Sequence, residues 1–422
     1  MLTFALIAVA GVLFVFVVLG KPGNISGVAV GSTFLLTTIV TRGPIDRTGN
    51  IAVAIMALTL FVAFVKTRTR GASRAPTALL ASIYLASLIS TLIGYPEGLA
   101  ALARVSILAI LVSLVAARMD ALNYRYFLRY LVVTGYVHTA FAAFEAWVGE
   151  PIWGYQVRAD GSTLFIQANE IFTTEVPRLE GGAGHSITLG VVVSVAVIAL
   201  VALRGLKWST AVACAPLLVA LAFAGSRSAV LALACVAVVA LLSPRNRMSA
   251  LGRVLAVLIV IGTIPLVTPL VRDVAGTLLE SGSFTHRVSG LESALELLDR
   301  PLFEVFFGSG YASTGQLYAR GYLQDSGFLV VDNQFVTTLA TCGLIGLALL
   351  VAYLFVGTRG APPAMLSILI FWSIMAFSFD IMFWIMGATL LVAAAACKPG
   401  EPLPADQGEA DARLTRAVAD RA

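Results

Sequence analysis

Apolar residues fall in long runs along this chain, and polar residues gather between them. Leu2 to Leu19 is one such run and Val254 to Val271 is another. Each is close to the roughly 20 residues that an α-helix needs to cross a bilayer. The pattern predicts spans over 2–20, 25–41, 51–65, 78–95, 99–117, 130–148, 187–203, 208–224, 226–242, 254–271, 328–356, 362–379 and 381–397. Pro, Gly and charge mark the joins, as in Lys21-Pro22-Gly23-Asn24 and Gly360-Ala361-Pro362-Pro363. The fold class that follows is all-α, a polytopic membrane protein with about 12–13 transmembrane helices and two large outer loops. The regions are helices over 1–148, an outer loop over 149–186, helices over 187–271, a larger outer loop over 272–327, helices over 328–397 and a polar cytoplasmic tail over 398–422. The first run is expected to be retained, because no basic segment precedes it and no small-residue cleavage site follows.

Composition agrees with the pattern. The chain is 59% apolar and 12% charged, against about 25% charged in soluble domains. The net charge of +5 does not point to nucleic acid, because many Lys and Arg sit in short loops between spans. One side of the spans receives Lys21, Lys66, Arg68, Arg70, Arg74, Arg118, Arg125, Arg129, Arg204, Lys207, Arg245, Arg247, Arg253 and Arg359; the other receives Arg42, Arg47, Arg104 and Arg227. Fourteen against four makes the first side cytoplasmic. Loops 149–186 and 272–327 then face outward. The four cysteines, Cys214, Cys235, Cys342 and Cys397, lie in or at the end of apolar runs and read as small core residues, not as disulfide or metal ligands.

Loops of roughly 40 and 55 residues are long enough to carry function. The second holds Leu291, Ala294, Leu295 and Leu298 at helical spacing, a stretch suited to lying flat in the outer interface. Five further segments carry candidate chemistry. Arg227, in Gly225-Ser226-Arg227-Ser228, stands where one span ends and the next begins; it either faces a polar cavity or an anion, or snorkels to headgroups. His286 and Arg287 lie in the larger loop, where a solvated face is the plain alternative. Gly308-Ser309-Gly310 follows them and reads as a close-approach or turn segment; it lacks the third Gly and the βαβ setting of a dinucleotide site. Asp332 and Asn333 stand at the outer start of a span, where helix capping is the alternative to chemistry. Arg178 and His185 flank a Gly-rich run, Gly181-Gly182-Ala183-Gly184, just before another span. His138, inside a span, reads as a hydrogen-bonded core histidine. No Walker A sequence, HExxH, CxxC pair or nucleophile elbow occurs, so ATP-driven transport, zinc proteolysis and serine hydrolysis lack support.

In their order, these segments resemble the O-antigen ligase and polysaccharide polymerase superfamily. The Gly-Ser-Arg-Ser run opens a span; a long outer loop with Arg287 follows; then come the Gly-Ser-Gly turn, Asp332-Asn333 and a Gly-containing span. The likeness covers roughly residues 178–356. It implies an enzyme of the bacterial cytoplasmic membrane that works at the outer face on glycans carried by undecaprenyl pyrophosphate. It implies a glycosyltransferase with neither metal nor other cofactor. Its partners would be the lipid-linked glycan, membrane lipids and, around it, a chain-length regulator and a flippase, with no nucleic acid. Arg227 and Arg287 look similar to the family's outer arginines and, with Asp332, are the implied catalytic residues. Arg178, His185, His286, Gly308, Gly310 and Asn333 are the implied substrate contacts. Ligases of the family carry His-Asn where this chain has Asp332-Asn333. That departure favours a polymerase, which joins repeat units, over a ligase, which transfers glycan to lipid A core or another acceptor.

Two other classes fit the sequence less well. A transporter or flippase wants polar groups deep in several spans, and His138, Glu145 and Asp380 are few. A passive export scaffold needs no site, and ordered outer arginines argue against it.

Overall fold

The computed structural model describes residues 2–20, 25–40, 47–67, 74–152, 169, 178–242, 290, 292–324, 331–382 and 384–399. Among these residues every regular element is helical. The first six helices are α1 (Leu2–Leu19), α2 (Ile25–Val40), α3 (Arg47–Lys66), α4 (Ala75–Gly94), α5 (Leu99–Ala116) and α6 (Ala121–Val148). Then come α7 (Ser186–Arg204), α8 (Trp208–Ala224) and α9 (Arg227–Leu242). Two short helices, α10 (Leu302–Phe307) and α11 (Thr314–Ala319), precede α12 (Gln334–Thr358), α13 (Pro363–Met375) and α14 (Ile385–Ala396). Five stretches, Ala75–Gly94, Pro96–Ala116, Ala121–Val148, Ser186–Arg204 and Gln334–Thr358, are long and apolar enough to cross a membrane, and seven shorter apolar helices accompany them. The chain is an all-α polytopic membrane protein. The expected span 254–271 lies outside the described residues.

Consecutive long helices run in opposite directions, so the bundle has two ends. At one end basic side chains close helix C-termini, whose last carbonyls lack helical partners. Lys66 Nζ donates to Gly20 O (3.4 Å) and Arg118 Nη1 to Thr67 O (3.0 Å). Lys398 Nζ donates to Val356 O (3.1 Å). Cations there also meet the negative end of the helix dipole. The other end gathers the segment around 178–185, the α8–α9 turn, residues 301–324 and the head of α12; we call it the loop end.

α14 runs through the centre. All its residues are buried, and it packs against α5, α2, α12, α13 and α4. A helix apolar on every face belongs in such a place, and its Ala-rich half lets neighbours approach closely. Helices α4 and α12 pack along each other, as do α6 and α7.

Four boundaries depart from the hydropathy pattern. α6 starts at Ala121, nine residues before the expected span, because the Asp120 side chain accepts from Asn123 N (2.8 Å) and caps a lead turn whose Arg125 and Arg129 stay exposed. The expected pair 362–379 and 381–397 is shorter at its join, leaving residues 376–382 and 384 non-helical. That join is held by Gln334, whose N–H donates to Ala376 O (2.8 Å) and whose Oε1 accepts from Met382 N (2.5 Å). α12 is broken at Gly343, with φ 66° and ψ −167°. Finally, the amphipathic stretch is helical over 292–296, but Leu297 is the residue that turns inward, into a small core with Leu317, Leu323, Val336 and Leu339. Leu295 and Leu298 stay exposed, and Leu291 lies outside the described residues.

Candidate functional site

The loop end is built around the α8–α9 turn. α8 closes on Gly225, whose φ of 62° is left-handed and suits glycine. Ser226 is buried and Arg227 opens α9. The polar groups freed by the turn are met from the preceding loop. Leu179 N donates to Phe223 O (3.1 Å), and Arg178 Nε donates to Ala224 O (3.2 Å). Asn169 Nδ2 donates to Ala222 O (3.1 Å) and Phe223 O (3.2 Å). A methyl on Gly225 would stand 3.0–3.2 Å from Asn169 Oδ1 and the Arg178 side chain. Arg178 is therefore laid over the turn that presents Arg227.

The Gly-rich run is clamped to α6. Glu145 accepts from Glu180 N (3.0 and 3.1 Å) and Gly181 N (2.8 Å). The carbonyl of Gly181 meets His138 Nδ1 (2.5 Å), and His138 Nε2 meets Thr38 Oγ1 of α2 (2.7 Å). A carbonyl only accepts, so Nδ1 of His138 carries a proton. His138 and Glu145 thus hold the C=O and the N–H of one residue, Gly181.

His185 caps α7, its Nδ1 accepting from Ile187 N (3.1 Å). Burial, with the positive charge of Arg178 nearby, lowers its pKa from 6.5 to about 4. A neutral ring with Nδ1 as acceptor carries its proton on Nε2, so that nitrogen donates and does not serve as a base. The His185 ring stands edge-on to Trp384 at 5.9 Å, and Trp384 meets Phe379 at 5.0 Å. Through Trp384 the Gly-rich run touches the α13–α14 join, and through Gln334 that join touches the head of α12.

At that head the capping residue is Asn333, not Asp332. Asn333 Oδ1 accepts from Phe335 N (3.0 Å) and Val336 N (3.2 Å). Asp332 stands one residue earlier and half-buried. Gly308 and Gly310 are buried and packed closely against α12 and α4. A Cβ on Gly308 would fall 2.3 Å from Thr341 C and O; one on Gly310 would fall 3.0 Å from Thr91 Cα. Ser309 N donates to Ala340 O (2.9 Å) and Gly310 N to Thr341 O (3.1 Å). His286 and Arg287 lie outside the described residues.

Several residues that shape this end carry no motif. Asn169, Glu145, Gln334 and Arg300 are polar side chains whose partners are mostly backbone atoms, many of them far along the chain. The Glu304–Arg320 pair is another case. Burial opposes ionisation of Glu304, but hydrogen bonds from Arg320 (3.0 Å) and Ser309 (2.7 Å) outweigh it and hold its pKa below the usual carboxylate value. Burial, with Asp380 among its neighbours, holds the Tyr311 phenol well above its usual range.

No curated protein matches this chain. A family model described as O-antigen ligase matches residues 212–351, a third of the chain, from within α8 through the Gly-Ser-Arg turn and the Gly-Ser-Gly segment into α12. Over residues 212–351 the chain is thus similar to the O-antigen ligase family, in line with the resemblance of its segments to the ligase and polysaccharide polymerase superfamily.

Proposed function

We propose that this protein is a polysaccharide polymerase that joins undecaprenyl-pyrophosphate-linked repeat units at the outer face of the bacterial cytoplasmic membrane. The observation that carries the reading is the α8–α9 turn, where Arg227 opens a helix and Arg178 lies over the same turn. A pyrophosphate is a multiply anionic leaving group. Guanidinium groups bind it bidentately, and a helix N-terminus favours it further. In the reaction, an acceptor hydroxyl attacks the anomeric carbon of the donor glycan. The new C–O bond forms as the bond to the pyrophosphate oxygen breaks, and the electron pair leaves with undecaprenyl pyrophosphate. Asp332 takes the hydroxyl proton, a role that a carboxylate, like a histidine, fills only where it lies within hydrogen-bond reach of that proton. Arg227 and Arg287 stabilise the charge that grows on the leaving oxygen. His185 and Arg178 hold the donor side of the site, and His286 belongs with Arg287 in the larger loop. The acidic residue where ligases carry His supports the polymerase over the ligase.

The test is transfer by purified protein in liposomes, with one lipid-linked repeat unit as both donor and acceptor. A polymer ladder is expected. Transfer seen only when a separate acceptor such as lipid A core is added would replace the polymerase with a ligase. Arg227→Ala and Arg287→Ala are each expected to lower turnover by roughly 10²–10³ at equal membrane insertion. Lysine at either position should restore little, because it keeps the charge and loses the planar fork. Near-normal ladders from both alanine variants would remove these arginines from the mechanism.

A further inference from the structure

The break in α12 leaves carbonyls without helical donors. In an unbroken helix Leu339 O, Ala340 O and Thr341 O would accept from the N–H groups four residues on. At Gly343 the chain leaves that path. Other groups take those places. Arg300 Nη2 donates to Leu339 O (2.9 Å) and Nη1 to Ala340 O (2.8 Å). Ser309 N and Gly310 N donate to Ala340 O and Thr341 O, and Ser90 Oγ donates to Thr341 O (2.6 Å).

Arg300 is the only guanidinium among these donors. It is 4% exposed and uses four hydrogen bonds, the other two being Nε to Leu297 O (2.8 Å) and Nη1 to Ser309 Oγ (2.8 Å). Burial lowers its pKa to about 10, with Glu304 opposing the shift, so it stays charged at neutral pH. A cation at the C-terminal end of a helix segment meets the negative end of its dipole. The segment it closes is Gln334 to Cys342, about 13 Å long at 1.5 Å per residue. Its other end carries the Asn333 cap and Asp332.

We propose that Arg300 is a positioning residue: by closing the broken end of α12 it fixes where the head of that half-helix, with Asp332, stands against the α13–α14 join. The proposal rests on the role of Asp332 given above. Gly343 frees the half-helix from the rest of α12, so the loop that carries Arg300 sets its place. The Gln334 bonds to Ala376 and Met382 then hold the head against the join. A general base serves only within hydrogen-bond reach of the proton it takes. A displacement of about 1 Å is enough to cost up to 10²-fold in rate.

The experiment uses the full chain with its four cysteines replaced and nitroxide labels at two pairs of sites. One pair, Asp332→Cys with Phe144→Cys, spans the half-helix head and the loop end of α6. The other, Val351→Cys with Trp208→Cys, reports the rest of the bundle. In Arg300→Gln the first distance distribution is expected to shift or broaden and the second to stay as in the parent. Without labels and with Asp332 intact, Arg300→Ala should lose roughly ten- to a hundredfold in kcat at unchanged donor KM. Added methylguanidinium should restore part of that rate. Three results would overturn the proposal: an unchanged first pair, both pairs changing together, or wild-type turnover by Arg300→Ala. If the parent protein transfers no glycan, the functional reading fails, and the label distances still decide whether Arg300 positions the half-helix.

Discussion

Asp332 and Asn333 are neighbours with different tasks. Asn333 satisfies two N–H groups at the head of α12; Asp332 satisfies neither. Its conversion to Asn leaves the Asn333 cap in place and removes the basicity of the carboxylate. We therefore expect Asp332→Asn to fold and insert as the parent does and to lose transfer. Asn333→Ala should lower the thermal midpoint, since losing such a cap costs about 1 kcal/mol. An active Asp332→Asn protein in the liposome assay would end its role as base. His185 would not replace it readily, because its Nδ1 is held by Ile187 N. The sequence made Arg227, Arg178 and the Asp-Asn pair legible, because a charge beside a span and a cap beside an apolar run are local signals. Arg300 was not legible. Its partners Leu339 and Ala340 lie about forty residues onward, and nothing near Arg300 announces them.

At the scale of elements, hydropathy found the apolar helices among the described residues and missed what interrupts them. Gly343 sits among apolar residues and adds no polar signal, yet its φ of 66° and ψ of −167° belong to glycine alone. Gly308, with φ 84° and ψ 177°, lies in the same region and presses on it. A Cβ on either would enter the other's strand of backbone, 2.3 Å from Thr341 C or 2.4 Å from Phe306 C. Gly360 offers a comparison: its φ is 66° and nothing stands within 4 Å of its Cβ position. Gly308→Ala combines conformational strain with a backbone clash, whereas Gly360→Ala carries strain only. Thermal unfolding in detergent should show a much larger drop for Gly308→Ala. Equal drops would mean that the crossing of 308–310 over α12 is looser than described. The long α6 was under-read for a related reason: the Asp120 cap lies outside the apolar window, and the lead turn carries two arginines.

For the whole molecule, the asymmetry of basic residues and the alternation of helices together orient the bundle. The end where Lys66, Arg118 and Lys398 close helix termini should face the cytoplasm. Gln316 is exposed at the loop end and Leu206 at the other. In a background without native cysteines, Gln316→Cys should react with an impermeant maleimide in intact spheroplasts. Leu206→Cys should react only after lysis. The reverse pattern would invert the topology and remove lipid-linked glycan at the outer face from consideration.

The central place of α14 has a consequence for biosynthesis. Its neighbours α2, α4 and α5 are all translated before it, and each lends a face to the slot that it fills. During synthesis that slot has no protein occupant, so the earlier helices enter the bilayer around a vacancy that lipid or one another must fill. The interior of the bundle is therefore complete only once α14, the last described helix, has been made.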